Sequence, residues 1–145
     1  KGQAQTVLSV NDGELSSLAE KAGLAPGGGL DEQAIALSRT GCVDCLIHHS
    51  QRYARVLGPG GTESLATRLA ENPVLLTGGG DNFNAGYMLG MLAGLDEIGC
   101  LMTGNAASSH YVRRGRCAGL NDIAEEIERS AAFWSGDGRL IEEAI

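Results

Sequence analysis

The chain has 145 residues and a formal net charge of −7, and 43% of its residues are hydrophobic against 20% charged. This length and balance predict one soluble globular domain, since a domain of about this size buries roughly two thirds of its unfolded surface. The negative charge argues against general binding of nucleic acid or of anionic membranes, because no long lysine and arginine run offsets it.

The chain up to the glycine cluster alternates strand-like and helix-like segments. Hydrophobic spacing predicts a buried strand at 6–10, helices at 12–24 and 30–41, and a second strand at 43–49. The segment 51–61 has the pattern of a hairpin arm followed by a turn. The next segment, 62–72, is compatible with either a short helix or irregular structure, and the apolar run 73–77 predicts a further strand.

The rest of the chain is predicted to be helical, with helices at 81–94, at 97 to about 111 and at 121 to about 133. Strands that alternate with helices indicate an α/β protein with a mostly parallel sheet and flanking helices. Open sheets of this class bind ligands beyond the carboxyl ends of their strands. Polar clusters follow three predicted strands, at Asn11, His48 to Ser50 and Gly78 to Asp81, so we expect them to converge on one edge of the sheet.

A glycine triplet, Gly78, Gly79 and Gly80, precedes the first of these later helices, and Asp81 lies in its first turn. Glycine disfavours helices, so the triplet is explained if the backbone approaches a ligand closely or adopts a positive φ. Free N–H groups and the helix dipole suit an oxyanion at this position. A simple turn with Asp81 as the N-cap remains an alternative.

The four cysteines, Cys42, Cys45, Cys100 and Cys117, include one C-x-x-C pair, Cys42 and Cys45. This spacing occurs in redox and zinc sites, but no second pair and no H-x-x-x-H accompanies it. We therefore expect reduced, buried thiols in a cytoplasmic protein. The sequence shows no apolar run of membrane-spanning length and no signal peptide.

The stretch "TGGGDNFNAGYM" resembles the signature of the ribokinase-like (PfkB-type) carbohydrate kinases. The positions that match the signature are Thr77, Gly78, Gly80, Asp81, Phe83, Ala85 and Gly86. Upstream, Asn11 and Glu14 match the family's Asn-x-x-Glu, and "GNAASSHYVRRG" resembles its late helix. The resemblance covers the C-terminal half of such kinases. It implies that residues 1–145 form the nucleotide-binding and catalytic portion of a three-layer α/β/α domain, without the N-terminal substrate and lid portion.

The resemblance implies ATP-dependent phosphoryl transfer to a hydroxyl of a sugar or nucleoside. Asp81 would be the general base, and the amides of Gly78, Gly79 and Gly80 would form an anion hole. Magnesium would accompany ATP, with Glu14 holding one of its waters. The residues expected at the nucleotide are Asn11, Ser50, Gly80 and Asn105. The fragment alone is expected to be inactive, and homodimer formation by the full-length protein stays open.

Two departures from the family pattern bear on this expectation. Leu75 and Leu76 replace the Asp-Thr that opens the signature, which argues against monovalent-cation activation. Ser50 and Tyr53 stand where a nucleotide-packing turn has glycines. The alternative is therefore a catalytically weak homologue that serves as a nucleotide-binding or regulatory module. A dinucleotide-binding domain fits poorly, because the glycine spacing is wrong for it.

Overall fold

A computed structural model describes residues 5–135, in which four strands and five helices form an α/β fold. Within these residues no helix is both long and apolar enough to cross a bilayer. The elements in chain order are β1 (Val7–Val10), α1 (Asp12–Ala22), α2 (Leu30–Ser38), β2 (Cys45–His49), β3 (Tyr53–Gly58), β4 (Gly61–Ala66), α3 (Gly79–Leu92), α4 (Glu97–Arg114) and α5 (Leu120–Ser135).

The four strands form one mixed sheet in the order β1-β2-β3-β4. β1 and β2 are parallel, and Val10 pairs with His48 in their register. The connections after β2 and β3 span only residues 50–52 and 59–60, and such short connections join antiparallel strands. The α/β class was predicted correctly, but the expectation of a mostly parallel sheet is wrong, because the sheet is mostly antiparallel.

Two segments between the hairpin and the glycines differ from their predictions. β4 occupies residues 62–66 of the region predicted as helical or irregular, because the turn at Pro59 and Gly60 returns the chain alongside β3, and residues 67–72 are irregular, as one of the two alternatives predicted. The apolar run 73–77 forms no strand. The N–H groups of Val74 and Leu75 both donate to the carbonyl of Val112, at 2.8 and 3.2 Å, so this run bonds to the end of α4.

The described chain divides into two compact units, and β3 and β4 contribute residues to both. The first unit contains the chain up to Ser50 together with Arg55–Glu63, and its buried core is Val10, Leu15, Ala34, Leu46 and Leu57. Within it, α1 ends at Gly23, whose φ of 66° is left-handed and whose N–H bonds to the carbonyls of Ala19 and Glu20. A left-handed glycine is a common helix ending, and it lies within the predicted bounds of this helix, 12–24.

The second unit contains Gln51–Ala54 and the chain from Ser64 onward, and it is built around the packing of α3 against α4. Gly86 lies at the closest approach, where an added Cβ would be 2.4 Å from the carbonyl oxygen of Thr103. On α5, Trp134 is buried and its indole N–H donates to the carbonyl of Ala66 at 2.9 Å. The end of α5 is thereby fixed against the end of β4.

The carboxylate of Asp122, in the first turn of α5, binds residues that precede the helix. Asp122 accepts hydrogen bonds from Arg116 and from the N–H of Gly119, and these bonds lower the pKa of Asp122 to about 2. Since this folded-state pKa lies below the unfolded value of about 3.9, Asp122 stabilises the fold at neutral pH and loses that effect as pH falls towards 2.

We therefore expect Asp122→Asn to lower the melting temperature at pH 7, with a penalty that shrinks as the pH is taken from about 4 downward. Melting curves recorded between pH 7 and pH 3 measure this. Glu128→Gln, which neutralises an exposed acid of the same helix, is the control. A penalty of the same size at every pH would contradict the assignment.

Candidate active site

The glycine cluster forms the N-terminus of α3, as its sequence predicts. Gly78 is the N-cap, with φ 93° and ψ −2°, a left-handed conformation that favours glycine. A Cβ at Gly78 would lie 2.8 Å from the hydroxyl oxygen of Tyr111, and that hydroxyl donates to the carbonyl of Thr77 at 3.1 Å. Gly78 is therefore required both by its backbone conformation and by the side chain of α4 that packs against it.

The three glycine amides are not equivalent. The N–H of Gly79 donates to the carbonyl of Leu76 at 3.1 Å, so it is already engaged within the turn. The first bond of the regular ladder runs from the N–H of Asn82 to the carbonyl of Gly78, at 3.1 Å. The N–H groups of Gly80 and Asp81 precede it and have no acceptor four residues back in the helix. They are the amides that this helix start offers to an anion.

Asp81 is exposed in the first turn of α3, and it is not the cap of the helix. The cap is Gly78, and in the described residues no side chain caps α3, so the N-cap alternative for Asp81 is wrong. Asn82 instead bonds to the turn, because its Nδ2 donates to the carbonyl of Gly78 at 2.9 Å. Among the described residues the Asp81 carboxylate caps no helix and forms no ion pair, and it stands at the positive end of the helix dipole.

The Asn-x-x-Glu motif forms a reciprocal capping box at the start of α1. The Asn11 side chain accepts from the N–H of Glu14, and the Glu14 carboxylate accepts from the N–H of Asn11, both at 2.9 Å. Both residues are exposed, and the bond from Asn11 occupies one carboxylate oxygen of Glu14. The motif therefore has a structural function that leaves its acidic group accessible to solvent.

The end of β2 lies beside the end of β1, which confirms the predicted neighbourhood of Asn11 and the residues from His48 to Ser50. His48 is fully buried, and its Nε2 lies 2.8 Å from Oδ1 of Asp12. Sequence reasoning did not find this pair, although Asp12 directly follows Asn11. Ser50 follows β2 and is half-buried. The strand predicted at 73–77 does not form. The glycine cluster therefore does not follow a strand, and the expectation that it lies at the carboxyl end of one is wrong.

Asn105 is buried in the second unit and forms hydrogen bonds there. Its Oδ1 accepts from the Thr67 hydroxyl at 3.2 Å, and its Nδ2 donates to the carbonyl of Ala66 at 3.5 Å. These bonds link α4 to the end of β4. A contact between Asn105 and a nucleotide stays a prediction.

The thiols differ in exposure, and all four are free. Cys45 and Cys100 are buried as predicted, whereas Cys42 and Cys117 are exposed, because they lie in the loops before β2 and α5. Burial raises the pKa of Cys100, and Glu97 and Asp96 raise it further. Within residues 5–135 no three His, Cys, Asp or Glu side chains gather as a metal site would require.

Comparison with known proteins assigns the chain to a family. Residues 1–129 match the family described as prokaryotic ketohexokinase. The chain belongs to this family. It is 32% identical over 111 residues to a ketohexokinase of Haloferax volcanii, and the match covers 77% of the chain and 29% of that protein.

Solved structures of related kinases share the fold of this ketohexokinase-family chain. Arabidopsis thaliana ribokinase, solved with ribose and ATP, is 21% identical with a TM-score of 0.73, over 85% of the chain and 41% of that enzyme. A putative ribokinase II of E. coli, solved with ATP and Mg²⁺, is 20% identical with a TM-score of 0.71, over 86% and 39%. The chain thus spans about 40% of the length of these kinases.

Proposed function

We propose that the protein transfers the γ-phosphoryl group of ATP to a hydroxyl of a ketohexose, with Asp81 as the general base. The family assignment supports a sugar kinase, and the Haloferax volcanii relative supports a ketohexose among the possible sugars. The observation that carries the residue assignment is the exposed Asp81 carboxylate, in the first turn of α3 and outside its cap.

The chemistry of the α3 N-terminus suits phosphoryl transfer, which depends mainly on positioning and on charge stabilisation. The carboxylate of Asp81 accepts the proton of the attacking hydroxyl as that oxygen forms its bond to the γ-phosphorus, while the bond from this phosphorus to the β-phosphate oxygen breaks and ADP leaves. The N–H groups of Gly80 and Asp81 donate to the charge that develops on the transferred group. The N–H of Gly79 already donates to the carbonyl of Leu76, so Gly79 contributes to the site by allowing a tight turn and not by donating to the phosphoryl group.

Magnesium fits the exposed acid of the capping box. Mg²⁺ prefers oxygen ligands and retains several of its waters, so a carboxylate that is reached through water suits it. Glu14 is exposed, and its Oε2 accepts the N–H of Asn11. When bound, the ion neutralises phosphate charge. Glu14 would hold one of its waters, and Asn11, Ser50 and Asn105 remain candidates for nucleotide contacts.

Glu14→Gln tests this role cleanly, because glutamine also completes a capping box. We expect the variant to keep its melting temperature and to need about ten-fold more magnesium for half-maximal rate, as outer-sphere ligands typically contribute. Initial rates over a magnesium titration measure the shift. Glu20→Gln, at an exposed position of the same helix, is the control. If the magnesium dependence were unchanged, Glu14 would have no role beyond capping α1.

The activity is tested with the intact protein, ATP and a panel of ketohexoses, aldoses and nucleosides. The proposal predicts acceptor-dependent ADP release that is fastest with a ketohexose, and a phosphorylated sugar in matching amount. The second candidate is a nucleotide-binding module, which Ser50 and Tyr53 favour because they replace glycines. ATP binding without ADP release on any acceptor would support that module and refute the kinase.

A further inference from the structure

A cleft in the second unit concentrates positive charge in an acidic chain. It has a volume of about 350 Å³, and it lies among the loop after β4, the end of α4 and the middle of α5. Four arginines line it: Arg68, Arg113, Arg114 and Arg129. The chain as a whole carries a net charge of −7, so this local excess is not a property of the surface in general.

The carboxylates at the cleft do not balance these guanidinium groups. Glu126 is buried and forms an ion pair with Arg113, and its Oε2 lies 3.9 Å from Nε of Arg129. Glu71, which is exposed, is the acidic residue among the lining side chains. Four guanidinium groups thus face two carboxylates, an excess of two positive charges.

Two of the arginines, Arg68 and Arg113, are held in place by contacts of their own. Arg68 donates from Nη1 to the carbonyl of Arg129 at 2.9 Å, which joins the loop after β4 to α5. Arg113 is fixed by its ion pair with Glu126. Burial lowers the pKa of Arg113, and the neighbouring Arg129, Arg68 and Arg114 lower it further, as expected where like charges are crowded. A bound anion would relieve this repulsion.

We propose that this cleft binds the phosphate groups of a small phosphorylated ligand, at a site separate from the N-terminus of α3. Guanidinium groups match phosphate oxygens by paired hydrogen bonds. The cleft is larger than a single phosphate needs, and none of its described lining residues is aromatic, which favours a diphosphate over the base of a nucleotide. The proposed kinase reaction does not require this site.

Binding of pyrophosphate to the intact protein, measured by calorimetry at constant ionic strength, tests the site. We expect Arg114→Gln to weaken binding about ten-fold, the effect of losing one charge-assisted hydrogen bond. Arg68→Gln should act in the same direction. Arg113 is left unchanged, because its removal would leave Glu126 buried without its partner. Melting temperatures confirm that each variant is folded.

Arg39→Gln is the matched control, since Arg39 is another exposed arginine at the end of a helix, α2, and lies outside the cleft. We expect Arg39→Gln to change the affinity for pyrophosphate by no more than about two-fold, because solvent and salt screen a surface charge that lies outside the cleft. Pyrophosphate should also still bind when the protein is saturated with a non-hydrolysable ATP analogue. Absence of binding, equal loss in Arg39→Gln, or displacement by the analogue would each overturn the proposal.

Discussion

Asp81→Asn in the intact protein should lower kcat for ketohexose phosphorylation by about 10²- to 10⁴-fold, the usual contribution of a general base. Asparagine keeps the size of the side chain and cannot accept the proton of the attacking hydroxyl. Because Asp81 does not cap α3, the substitution should cost little stability, about 0.3–1 kcal/mol through the helix dipole. Steady-state kinetics with saturating ATP, together with melting curves, measure the two effects.

Glu97→Gln is the control for Asp81→Asn, since it removes an exposed acid from the first turn of another helix, α4, in the same unit. It should cause a similar small loss of stability, because it also removes a negative charge from the positive end of a helix dipole. It should leave kcat within about two-fold of the wild-type value, because an exposed charge that takes no part in the reaction is screened by solvent and salt. If Asp81→Asn retained activity close to wild type, the acid would be a charge at a helix end and nothing more.

Gly86→Ala should destabilise the second unit by about 2–3 kcal/mol, or prevent its folding, because the added methyl group has no space. Its Cβ would lie 2.4 Å from the Thr103 oxygen, 2.7 Å from the Cβ of Ala107 and 3.0 Å from the Cα of Gly104. Two of these atoms belong to the backbone, so relief requires α3 and α4 to separate. Urea unfolding measures the loss.

The matched control is Gly13→Ala, another glycine-to-alanine change inside a helix. Gly13 is exposed in α1, and the nearest atom to an added Cβ is the Asn11 side-chain oxygen at 3.5 Å, an ordinary contact. Alanine is the better helix former by roughly 0.5–1 kcal/mol in a helix interior and by less in the first turn, where Gly13 lies, so this variant should be neutral or slightly more stable. If Gly86→Ala were as stable as Gly13→Ala, the packing of α3 on α4 would be looser than described.

The helices could be predicted from the sequence because their signals are local. The predicted helix at 12–24 has a capping box of Asn11 and Glu14 at its start and Gly23 at its end, and the glycine cluster begins α3. Such capping preferences act within one turn and do not depend on the rest of the fold. The resemblance to ribokinase-like kinases also rested on short matching stretches, and the family match confirms it.

The sheet could not be predicted to the same degree, because strand pairing depends on distant partners. The run 73–77 is apolar enough for a strand, yet its N–H groups bond to Val112 at the end of α4. β4 has a polar, helix-like sequence, and its pairing with β3 is set by the turn at Pro59 and Gly60. A strand's context outweighs its intrinsic propensity.

Groups of side chains that come from distant parts of the chain also could not be predicted from the sequence. His48 on β2 contacts Asp12 at the start of α1, and the arginine cleft joins residues from a loop and two helices. Neither grouping has a signature at fixed spacing. By contrast, the positions of Asp81 and the glycines at one helix start follow from adjacent residues.

The central claim, that Asp81 accepts the proton of the attacking hydroxyl, is tested most directly by a crystal structure of the intact protein with a ketohexose and a non-hydrolysable ATP analogue. The account predicts a carboxylate oxygen of Asp81 within about 2.6–3.2 Å of one sugar hydroxyl, the reach required of a general base. A sugar bound with all its hydroxyls beyond that reach, and with another acid or histidine at the attacking oxygen, would contradict it.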